Sequence, residues 1–211
     1  MNLPLAYTPR TYGDTEHPFI ALEGPSGMGK STLENLLTHR LRATSLHTLP
    51  RPHNDWSKAA NSHLAPLPQL CFYLSGLLHA SDCVRTSRSA TPVIADRYQS
   101  SVLACHAAVH GIAVEQVRQL AAPFLPYILQ PTHTFYLRCR TETLQARMRT
   151  KSDLKQDDTD LLTVPGRLDQ VLFNFEAVAA QDPSAIWIDT DGKTPDQVTH
   201  EILHTLERTR A

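Results

Sequence analysis

Residues 24–31 read Gly-Pro-Ser-Gly-Met-Gly-Lys-Ser and match the phosphate-binding pattern G-x-x-x-x-G-K-S/T at every fixed position. The run before it, 19–23, has the apolar composition of a buried strand, and residues 32–41 after it place leucines at helical spacing. Strand, glycine-rich loop and helix in this order distinguish a phosphate-binding site from a chance glycine turn. The sequence therefore predicts a phosphate-binding loop, the P-loop, between the first strand and the first helix.

The residues of this loop suit the chemistry of a nucleoside triphosphate. Glycines leave successive backbone N–H groups free to point at phosphate oxygens, and the helix N-terminus adds the positive end of its dipole. Lys30 is predicted to reach the β- and γ-phosphates, and the Ser31 hydroxyl is predicted to hold Mg²⁺. ATP and Mg²⁺ are thus the expected ligands. The predicted nucleotide-binding residues of the loop are Gly24, Pro25, Ser26, Gly27, Met28, Gly29, Lys30, Ser31 and Thr32.

Length and charge limit the classes of protein to which this chain can belong. Its 211 residues fit one α/β domain, and 41% of them are hydrophobic. A net charge of −1 provides no broad field for a nucleic-acid polymer or an anionic membrane. No apolar run reaches the roughly 18 residues of a membrane span, and no secretory signal opens the chain. We expect a cytoplasmic protein whose partner is a small molecule.

Cysteine and histidine spacings do not predict a metal site. The cysteines are widely spaced and form no C-x-x-C pair, as expected for reduced, mostly buried thiols. His106 and His110, at i and i+4, suit one helix face, but the pair has no third ligand. The four cysteines are Cys71, Cys83, Cys105 and Cys139.

Five short apolar runs alternate with helical patterns along the chain. The predicted strands are 19–23, 44–49, 92–96, 133–139 and 185–189. The predicted helices are 30–42, 69–86, 100–110, 114–121, 142–150, 167–180 and 195–208, and the proline-rich stretch 50–68 is predicted as a loop with at most a short helix. This alternation predicts an α/β, three-layer fold in which helices cover both faces of a five-stranded parallel sheet. We expect a lead-in at 1–17 and a single domain at 18–211.

Asp96 ends the third predicted strand, and Arg97 and Tyr98 directly follow it. In a parallel sheet, ligands bind beyond the carboxyl ends of the strands, where the P-loop also lies. A carboxylate there can orient Mg²⁺-bound water or accept a proton, and an arginine can hold a transferring phosphate. We therefore assign Asp96 to the metal and to catalysis, and Arg97 to catalysis. A strand-end ion pair is the alternative that the residues alone leave open.

In four segments the chain resembles the thymidylate kinase family, and more broadly the P-loop nucleoside and nucleotide kinases. Residues 19–32 are similar to the family's first strand and P-loop, 94–101 to its Asp-Arg-Tyr motif, 141–149 to the helix before its lid, and 188–192 to its adenine-contacting loop. The resemblance covers most of residues 18–205. It implies a P-loop kinase fold with a mobile lid at about 150–166, and commonly a homodimer.

The resemblance also implies roles for the arginines before the lid. Arg147 and Arg149 would flank the ATP phosphates, and Arg147 would take part in catalysis. A closed lid excludes water, which would otherwise compete with the acceptor for the phosphoryl group. The alternative is that Arg147, Arg149 and Lys151 form a solvated helix face.

The acceptor region departs from the family's pattern. Gly76 stands near the place of a base-contacting arginine that follows an aromatic pair, and His106 falls near the place of a glutamine that reads thymine. Arg51 stands where the similar deoxynucleoside kinases carry a catalytic glutamate, and a cation binds an acceptor phosphate but cannot take a proton. These features favour a nucleoside monophosphate acceptor that need not be dTMP. The predicted acceptor contacts are Arg51, Trp56, Phe72, Tyr73, Arg97 and Tyr98.

The predicted activity is direct in-line transfer of the ATP γ-phosphoryl group to this monophosphate. Two alternatives stay open at this point. One is a nucleoside or deoxynucleoside kinase in which Asp55 or Asp96 serves as the base, and the other is a P-loop kinase of a different small hydroxylated metabolite. A regulatory module that binds nucleotide without an acceptor is a third class, against which the intact Lys30, Asp96 and Arg97 argue.

Overall fold

The strands observed are β1 (Phe19–Glu23), β2 (Thr44–His47), β3 (Val93–Asp96), β4 (His133–Arg138) and β5 (Ala185–Asp189). Within the residues that the computed structural model describes (8–9, 17–151 and 156–209), these five strands form one parallel sheet in the order β2-β3-β1-β4-β5. Because β1 pairs with both β3 and β4, the P-loop that follows it lies at the middle of the sheet's carboxyl edge.

Helices connect consecutive strands, as parallel pairing requires. The described helices are α1 (Lys30–Leu41), α2 (His53–His63), α3 (Pro66–Ser87), α4 (Gln99–His110), α5 (Val114–Ala121), α6 (Thr141–Arg149), α7 (Gln156–Thr163), α8 (Arg167–Ala179) and α9 (Pro195–Arg208). Helices α1 and α9 contact each other, whereas α4 contacts α3, α5 and α8. These two groups form the outer layers of the three-layer fold.

The burial of the central strands explains why their sequences are continuous apolar runs and do not alternate between apolar and polar residues. Every residue of β1 and β3 is buried, because helices cover both faces of the sheet at this point. The edge strand β2 is mostly exposed. The carboxyl ends of the two buried strands carry acids, Glu23 and Asp96, in an otherwise apolar setting. Buried carboxylates need specific partners, so these two acids make the carboxyl edge of the sheet a candidate functional site.

The α/β fold class and the positions of the predicted strands are confirmed. The prediction that 50–68 is mainly loop is wrong, because α2 occupies much of it and α3 begins at Pro66. Pro52 is the N-cap of α2 and Pro66 is the first residue of α3. Proline is tolerated at such positions because its missing N–H has no partner within the helix. These prolines therefore mark helix starts.

The polar segment predicted as a lid contains α7, where Leu161 and Asp158 are buried. The sequence showed no apolar period there and therefore did not predict this helix. Residues 152–155, and most of the predicted lead-in at 1–17, lie outside the described residues. The domain and lid boundaries stay predictions.

The prediction that the cysteines are mostly buried is wrong. Cys71 is exposed on α3, and the other three cysteines are half-buried. None of the helices described is both long and apolar enough to cross a bilayer.

Candidate active site

The P-loop joins the end of β1 to the start of α1. Its glycines Gly24, Gly27 and Gly29 have positive φ angles of 133°, 84° and 90°. A Cβ atom at Gly24 would lie 2.9 Å from the backbone oxygen of Leu137, so only glycine lets the loop pack this closely against β4. Such a loop directs backbone N–H groups inward, with the N-terminus of α1 behind them. The structure thus places residues 24–32 in a loop and a helical turn of the kind that binds phosphate.

Lys30 points back into the P-loop from the first residue of α1. Its Nζ atom donates hydrogen bonds to the backbone oxygens of Gly24 (2.8 Å) and Pro25 (2.7 Å), and the residue is only 5% exposed. Burial, together with the positive charge of Arg97, lowers the pKa of Lys30 to about 7. A phosphate in the loop would favour the charged amine and raise this pKa again. Lys30 is therefore held ready for an anion at the rim of the loop.

Ser31 and Asp96 form the second part of the site. Pairing of β1 with β3 sets Asp96 beside Leu22, next to the P-loop. The Ser31 hydroxyl donates to Asp96 Oδ2 at 2.6 Å, while Asp96 Oδ1 is buried and has no hydrogen-bond partner among the described residues. A hydroxyl and a carboxylate with an unused oxygen are the hard ligands that Mg²⁺ prefers. These two residues therefore fit a magnesium ion.

Arg97 lies against the P-loop in an uncommon backbone conformation. Its φ angle is 71°, which few residues other than glycine adopt. Its backbone N–H donates to the oxygen of Leu22 at 3.0 Å, which ties the residue to the end of β1. Its Nη1 atom donates to the backbone oxygen of Gly24 (3.2 Å) and to Ser101 Oγ (3.3 Å). The structure thus brings Arg97 to the same loop that holds Lys30.

The prediction that Tyr98 contacts the acceptor is wrong. Tyr98 is 1% exposed, and its ring packs edge-to-face on Phe19 with the centroids 4.9 Å apart. Its hydroxyl shares a hydrogen bond with Ser81. Burial raises the pKa of this hydroxyl above its usual range. Because the turn after β3 directs the ring into the core, Tyr98 stabilises the fold instead of facing a ligand.

Glu23 is a candidate functional residue that the sequence reasoning missed. It is fully buried, and its carboxylate accepts hydrogen bonds from the Tyr98 backbone and from the backbone and hydroxyl of Ser101. Burial raises the pKa of Glu23, against the effect of these bonds and of the Arg97 charge. The signal was present in the sequence, since one acid closes an apolar strand immediately before the P-loop.

Arg147 lies beside the loop that follows β5. Its Nη1 and Nη2 atoms donate to the hydroxyl (2.9 Å) and backbone oxygen (2.8 Å) of Thr190. Thr190 belongs to the segment that the resemblance predicts to contact adenine, so Arg147 lies near the predicted base end of ATP. Arg149 is exposed at the end of α6.

Lys151 contacts the P-loop, although the sequence reasoning treated it only as part of a solvated helix face. Its Nζ atom donates to Ser26 Oγ at 3.3 Å and to Asp158 Oδ2 at 2.6 Å. Asp158 is 5% exposed on α7. This pair of contacts joins the P-loop to the helix of the predicted lid.

The predicted acceptor residues lie on α2 and α3 and in the loop before α2. The Arg51 side chain is 86% exposed, and its Nε lies 3.6 Å from Asp55 Oδ1. Trp56 is 59% exposed on α2. Phe72 and Tyr73 are half-buried neighbours on α3, with their ring centroids 5.5 Å apart. The structure brings these two rings together and leaves Arg51 and Trp56 facing solvent.

The position of the expected base-contacting arginine is closed. A Cβ atom at Gly76 would collide with the Leu49 side chain and would lie 3.4 Å from the His53 ring. His53 Nε2 is 3.1 Å from Ser75 Oγ, and the imidazole centroid is 5.6 Å from that of Phe72. A side chain at position 76 would therefore start against the side chains of Leu49 and His53.

His106, at the place expected for a thymine-reading glutamine, is 7% exposed on α4. Its ring centroid lies 4.5 Å from that of His110, and burial lowers the pKa of His106 to about 4. His110 Nε2 lies 2.6 Å from Gln69 Oε1, and Gln69 Nε2 donates to Asn61. Hydrogen bonds therefore link His110, Gln69 and Asn61, while His106 contacts His110 through its ring. In the part of the chain that the structure describes, no three His, Cys, Asp or Glu side chains are grouped to hold a metal.

Comparison with known proteins gives a consistent relationship over most of the chain. The thymidylate kinase family model matches residues 22–202. A thymidylate kinase from Synechococcus sp. (strain JA-3-3Ab) is 28% identical over 195 residues, covering 87% of this chain and 92% of that protein. A cytidylate kinase from Desulforamulus reducens is 27% identical over 224 residues, covering 92% and 99%.

A solved structure of thymidylate kinase from Candida albicans shares the fold, with a TM-score of 0.75 at 19% identity over 92% of this chain and 93% of that one. The predicted family, fold and nucleotide kinase activity are confirmed, and the alternatives of a nucleoside kinase and of a kinase for another metabolite are not favoured. The chain belongs to the thymidylate kinase family of ATP-dependent nucleoside monophosphate kinases.

Proposed function

We propose that this kinase uses Mg²⁺ and ATP to phosphorylate a nucleoside monophosphate other than dTMP. The observation that carries the phosphoryl-transfer part is the convergence of Lys30, the Ser31–Asp96 pair and Arg97 on one loop at the sheet edge. The acceptor part rests on the closed space at Gly76 and on the buried His106.

The P-loop residues supply binding and charge stabilisation. The phosphates of ATP take the place of the Gly24 and Pro25 carbonyls as partners of Lys30, because a charge-assisted hydrogen bond is stronger than one to a neutral oxygen. Arg97 lies beside the same carbonyl and stabilises the negative charge that spreads over the equatorial oxygens during in-line transfer. These groups are already placed before the substrate arrives, so little reorganisation is needed.

Ser31 and Asp96 would hold the magnesium ion, whose positive charge neutralises the triphosphate when it is bound. The buried and unpartnered Oδ1 of Asp96 supports this assignment, since an orphaned carboxylate oxygen needs a cation or a water. Ser31 already donates to the other oxygen and thereby fixes the orientation of the carboxylate.

Arg51 is the proposed ligand of the acceptor's phosphate. It follows β2, which pairs with β3, so its backbone lies near the edge that carries Asp96. Its ion pair with Asp55 is long, at 3.6 Å from Nε to Oδ1, and both side chains are well exposed. Such a pair contributes little, so an incoming phosphate can compete for the guanidinium.

The base of the acceptor is proposed to stack on Phe72 and Tyr73, with Trp56 near the opening. Leu49 and His53 close the space beside Gly76, and His106 is turned toward His110. The arginine and the glutamine by which the family reads thymine are therefore replaced by Gly76 and His106. This replacement supports an acceptor base other than thymine.

Arg147 and Lys151 are proposed to act on ATP from the lid side. Arg147 is held at Thr190, which suits contact with the base end of ATP rather than with the γ-phosphate. Lys151 is the cation that reaches the P-loop hydroxyl of Ser26. We therefore assign the phosphate contact expected of Arg147 to Lys151, with closure of the segment at about 150–166 excluding water.

An acceptor panel tests this proposal. Wild-type protein is incubated with labelled ATP and Mg²⁺ and, in turn, with dTMP, dUMP, CMP, dCMP, UMP, AMP, GMP and the matching nucleosides, with Lys30→Ala as the inactive control. We expect transfer to at least one monophosphate with a higher kcat/KM than for dTMP, and none to nucleosides. If dTMP is the best acceptor, or if a nucleoside is preferred, the acceptor assignment is wrong. Failure to bind ATP with Mg²⁺ in calorimetry would overturn the site itself.

Cytoplasmic location and a homodimer are part of the same proposal and are supported by the family resemblance. Cell fractionation and sedimentation of the purified chain measure each directly.

A further inference from the structure

We propose that Glu23 is a positioning residue for phosphoryl transfer, acting through Ser101 to hold Arg97 in its working orientation. This inference rests on the proposed role of Arg97 at the transferring phosphate. Glu23 itself is buried at the end of β1 and reaches no open space, so it acts on the substrate only through its neighbours.

The Glu23 carboxylate caps a helix that lies in a different part of the chain. Its Oε1 atom accepts hydrogen bonds from the backbone N–H groups of Tyr98 (2.8 Å) and Ser101 (3.2 Å). Tyr98 is the N-cap residue of α4, and its phenol is committed to Ser81 instead of the helix end. Glu23 therefore satisfies orphaned N–H groups in the first turn of α4, and its charge complements the positive end of the helix dipole.

The second carboxylate oxygen begins a chain of hydrogen bonds that ends at Arg97. Ser101 Oγ donates to Glu23 Oε2 at 2.5 Å and accepts from Arg97 Nη1 at 3.3 Å. Because a hydroxyl has one proton, donation to the carboxylate obliges it to present its lone pairs to the guanidinium. Glu23 thus orients the Ser101 hydroxyl, and this hydroxyl in turn orients one N–H of the Arg97 guanidinium.

The backbone of Arg97 explains why such a support is needed. A residue with a φ angle of 71° keeps that conformation only when its surroundings over-determine it. On one side Arg97 N–H bonds to Leu22, and on the other Glu23 fixes the next residue, Tyr98. Glu23 also places a negative charge near Arg97 and Lys30, two cations that disfavour each other. The carboxylate therefore supports both the geometry and the charge balance of the phosphate site.

Three variants separate a positioning role from a structural one. Glu23→Gln keeps the shape but loses the charge, and Ser101→Ala breaks the chain to Arg97 while leaving the carboxylate in place. Ser100→Ala is the matched control, since Ser100 lies in the same helical turn and its side chain is also buried. Its hydroxyl is hydrogen-bonded to the Tyr136 hydroxyl at 2.7 Å instead of to Glu23. We expect kcat to fall about 10–100-fold in the first two, with the KM for ATP nearly unchanged, and to stay near wild type in the control.

A double-mutant cycle shows whether the effect runs through Arg97. Adding Glu23→Gln or Ser101→Ala to Arg97→Ala should lower kcat no further, because the group being positioned is already absent. Additive losses in the double variants would overturn the inference, and so would equal losses in Ser101→Ala and Ser100→Ala.

An NMR measurement keeps the inference testable without activity. The guanidinium N–H resonances of Arg97, the Nη1 protons included and assigned by their loss in Arg97→Lys, should shift or broaden in Ser101→Ala and Glu23→Gln and stay in place in Ser100→Ala. An unchanged resonance in Ser101→Ala refutes the link even if Glu23→Gln does not fold. Absence of transfer by the wild type would instead defeat the proposed function, while the resonance still reports whether Glu23 and Ser101 hold Arg97.

Discussion

The phosphate side and the acceptor side of this kinase are built in opposite ways. On the phosphate side, Lys30, Asp96 and Glu23 are each at most 5% exposed and are held by hydrogen bonds of 2.5–3.2 Å to the P-loop, Ser31 and α4. On the acceptor side, the Arg51 side chain is 86% exposed and Trp56 is 59% exposed. The first region is fixed by hydrogen bonds along the sheet edge, whereas the side chains proposed for the second region face solvent.

We infer from this difference that the buried phosphate side serves phosphoryl transfer, whereas the exposed acceptor side sets the substrate preference. Groups that stabilise transition-state charge act best when they are fixed before the reaction, which favours burial next to the central strands. The proposed acceptor side involves side chains of α2, α3 and α4, which lie outside the P-loop. Gly76 and His106, two of the positions that depart from the family's pattern, belong to this second region.

The sharpest test of the phosphate side is Lys30→Ala. We expect kcat/KM for ATP to fall about 10³-fold, because a single charge contact at the transferring phosphate is worth this much. The melting temperature should change little, since the Gly24 and Pro25 carbonyls that Lys30 leaves behind can bind water at the loop. Lys193→Ala, which removes a lysine paired with Glu201 on the surface, is the control. A Lys30→Ala protein with more than a tenth of wild-type activity would remove the P-loop assignment.

Asp96→Asn tests the metal part of the same region. We expect the Mg²⁺ concentration for half-maximal activity to rise about 10–100-fold, since the amide loses the charge that orients the ion. Magnesium titration at saturating ATP measures the effect, and Asp82→Asn, which alters an exposed pair with Arg85, is the matched control. An unchanged magnesium requirement would place the ion elsewhere.

Arg51→Ala tests whether the open side is the acceptor side. We expect the KM for the acceptor to rise about tenfold, as for the loss of one charge-assisted hydrogen bond, while the KM for ATP stays the same. Initial-rate kinetics with both substrates varied give the two values. Arg40→Ala, at an exposed arginine beside Asp196, controls for a general change in surface charge. Equal changes in both constants would move Arg51 out of the acceptor site.

The smallest expected effect is the pH dependence of stability set by His106. Its pKa is lowered to about 4 in the folded protein, against about 6.5 when unfolded, so the unfolded chain binds more protons between these values. The titration of His106 therefore leaves the free energy of unfolding unchanged above about pH 6.5 and lowers it as the pH falls from 6.5 toward 4. Burial lowers the pKa of His110 too, which acts in the same direction.

We expect His106→Gln to reduce the loss of stability between pH 7 and pH 5 by about 1 kcal/mol, or about 2–4 °C in the melting temperature. Melting curves at the two pH values measure it, and the exposed His204 provides the control variant His204→Gln. If His106→Gln has the same pH dependence as the wild type, the His106 ring is accessible to protons in the folded protein. The contrast with the exposed Arg51 would then not extend to this part of the acceptor side.

Much of the fold could be predicted because its signals are local. The apolar runs of β1 and β3, the glycine pattern and the leucines of α1 each depend on residues within a few positions of one another. The prolines of 50–68 misled the prediction because proline has the same local meaning in a loop and at a helix start, and only the packing of α2 on α3 decides between them. Helix α7 was not predicted because its sequence is mostly polar, and the burial of Leu161 and Asp158 depends on tertiary packing.

The sequence by itself determined the P-loop and the strand that precedes it, because the loop needs glycines at fixed spacings between a strand and a helix. It also showed that Asp96 ends β3 and that Arg97 follows it. Only the tertiary structure decided that Tyr98 belongs to the core, that Lys151 reaches Ser26 and that Glu23 caps α4. The last two contacts join distant residues, since Glu23 and Tyr98 are 75 positions apart and Ser26 and Lys151 are 125 positions apart. Such pairs meet because parallel strands align their carboxyl ends, and no local pattern records which side chains will face each other there.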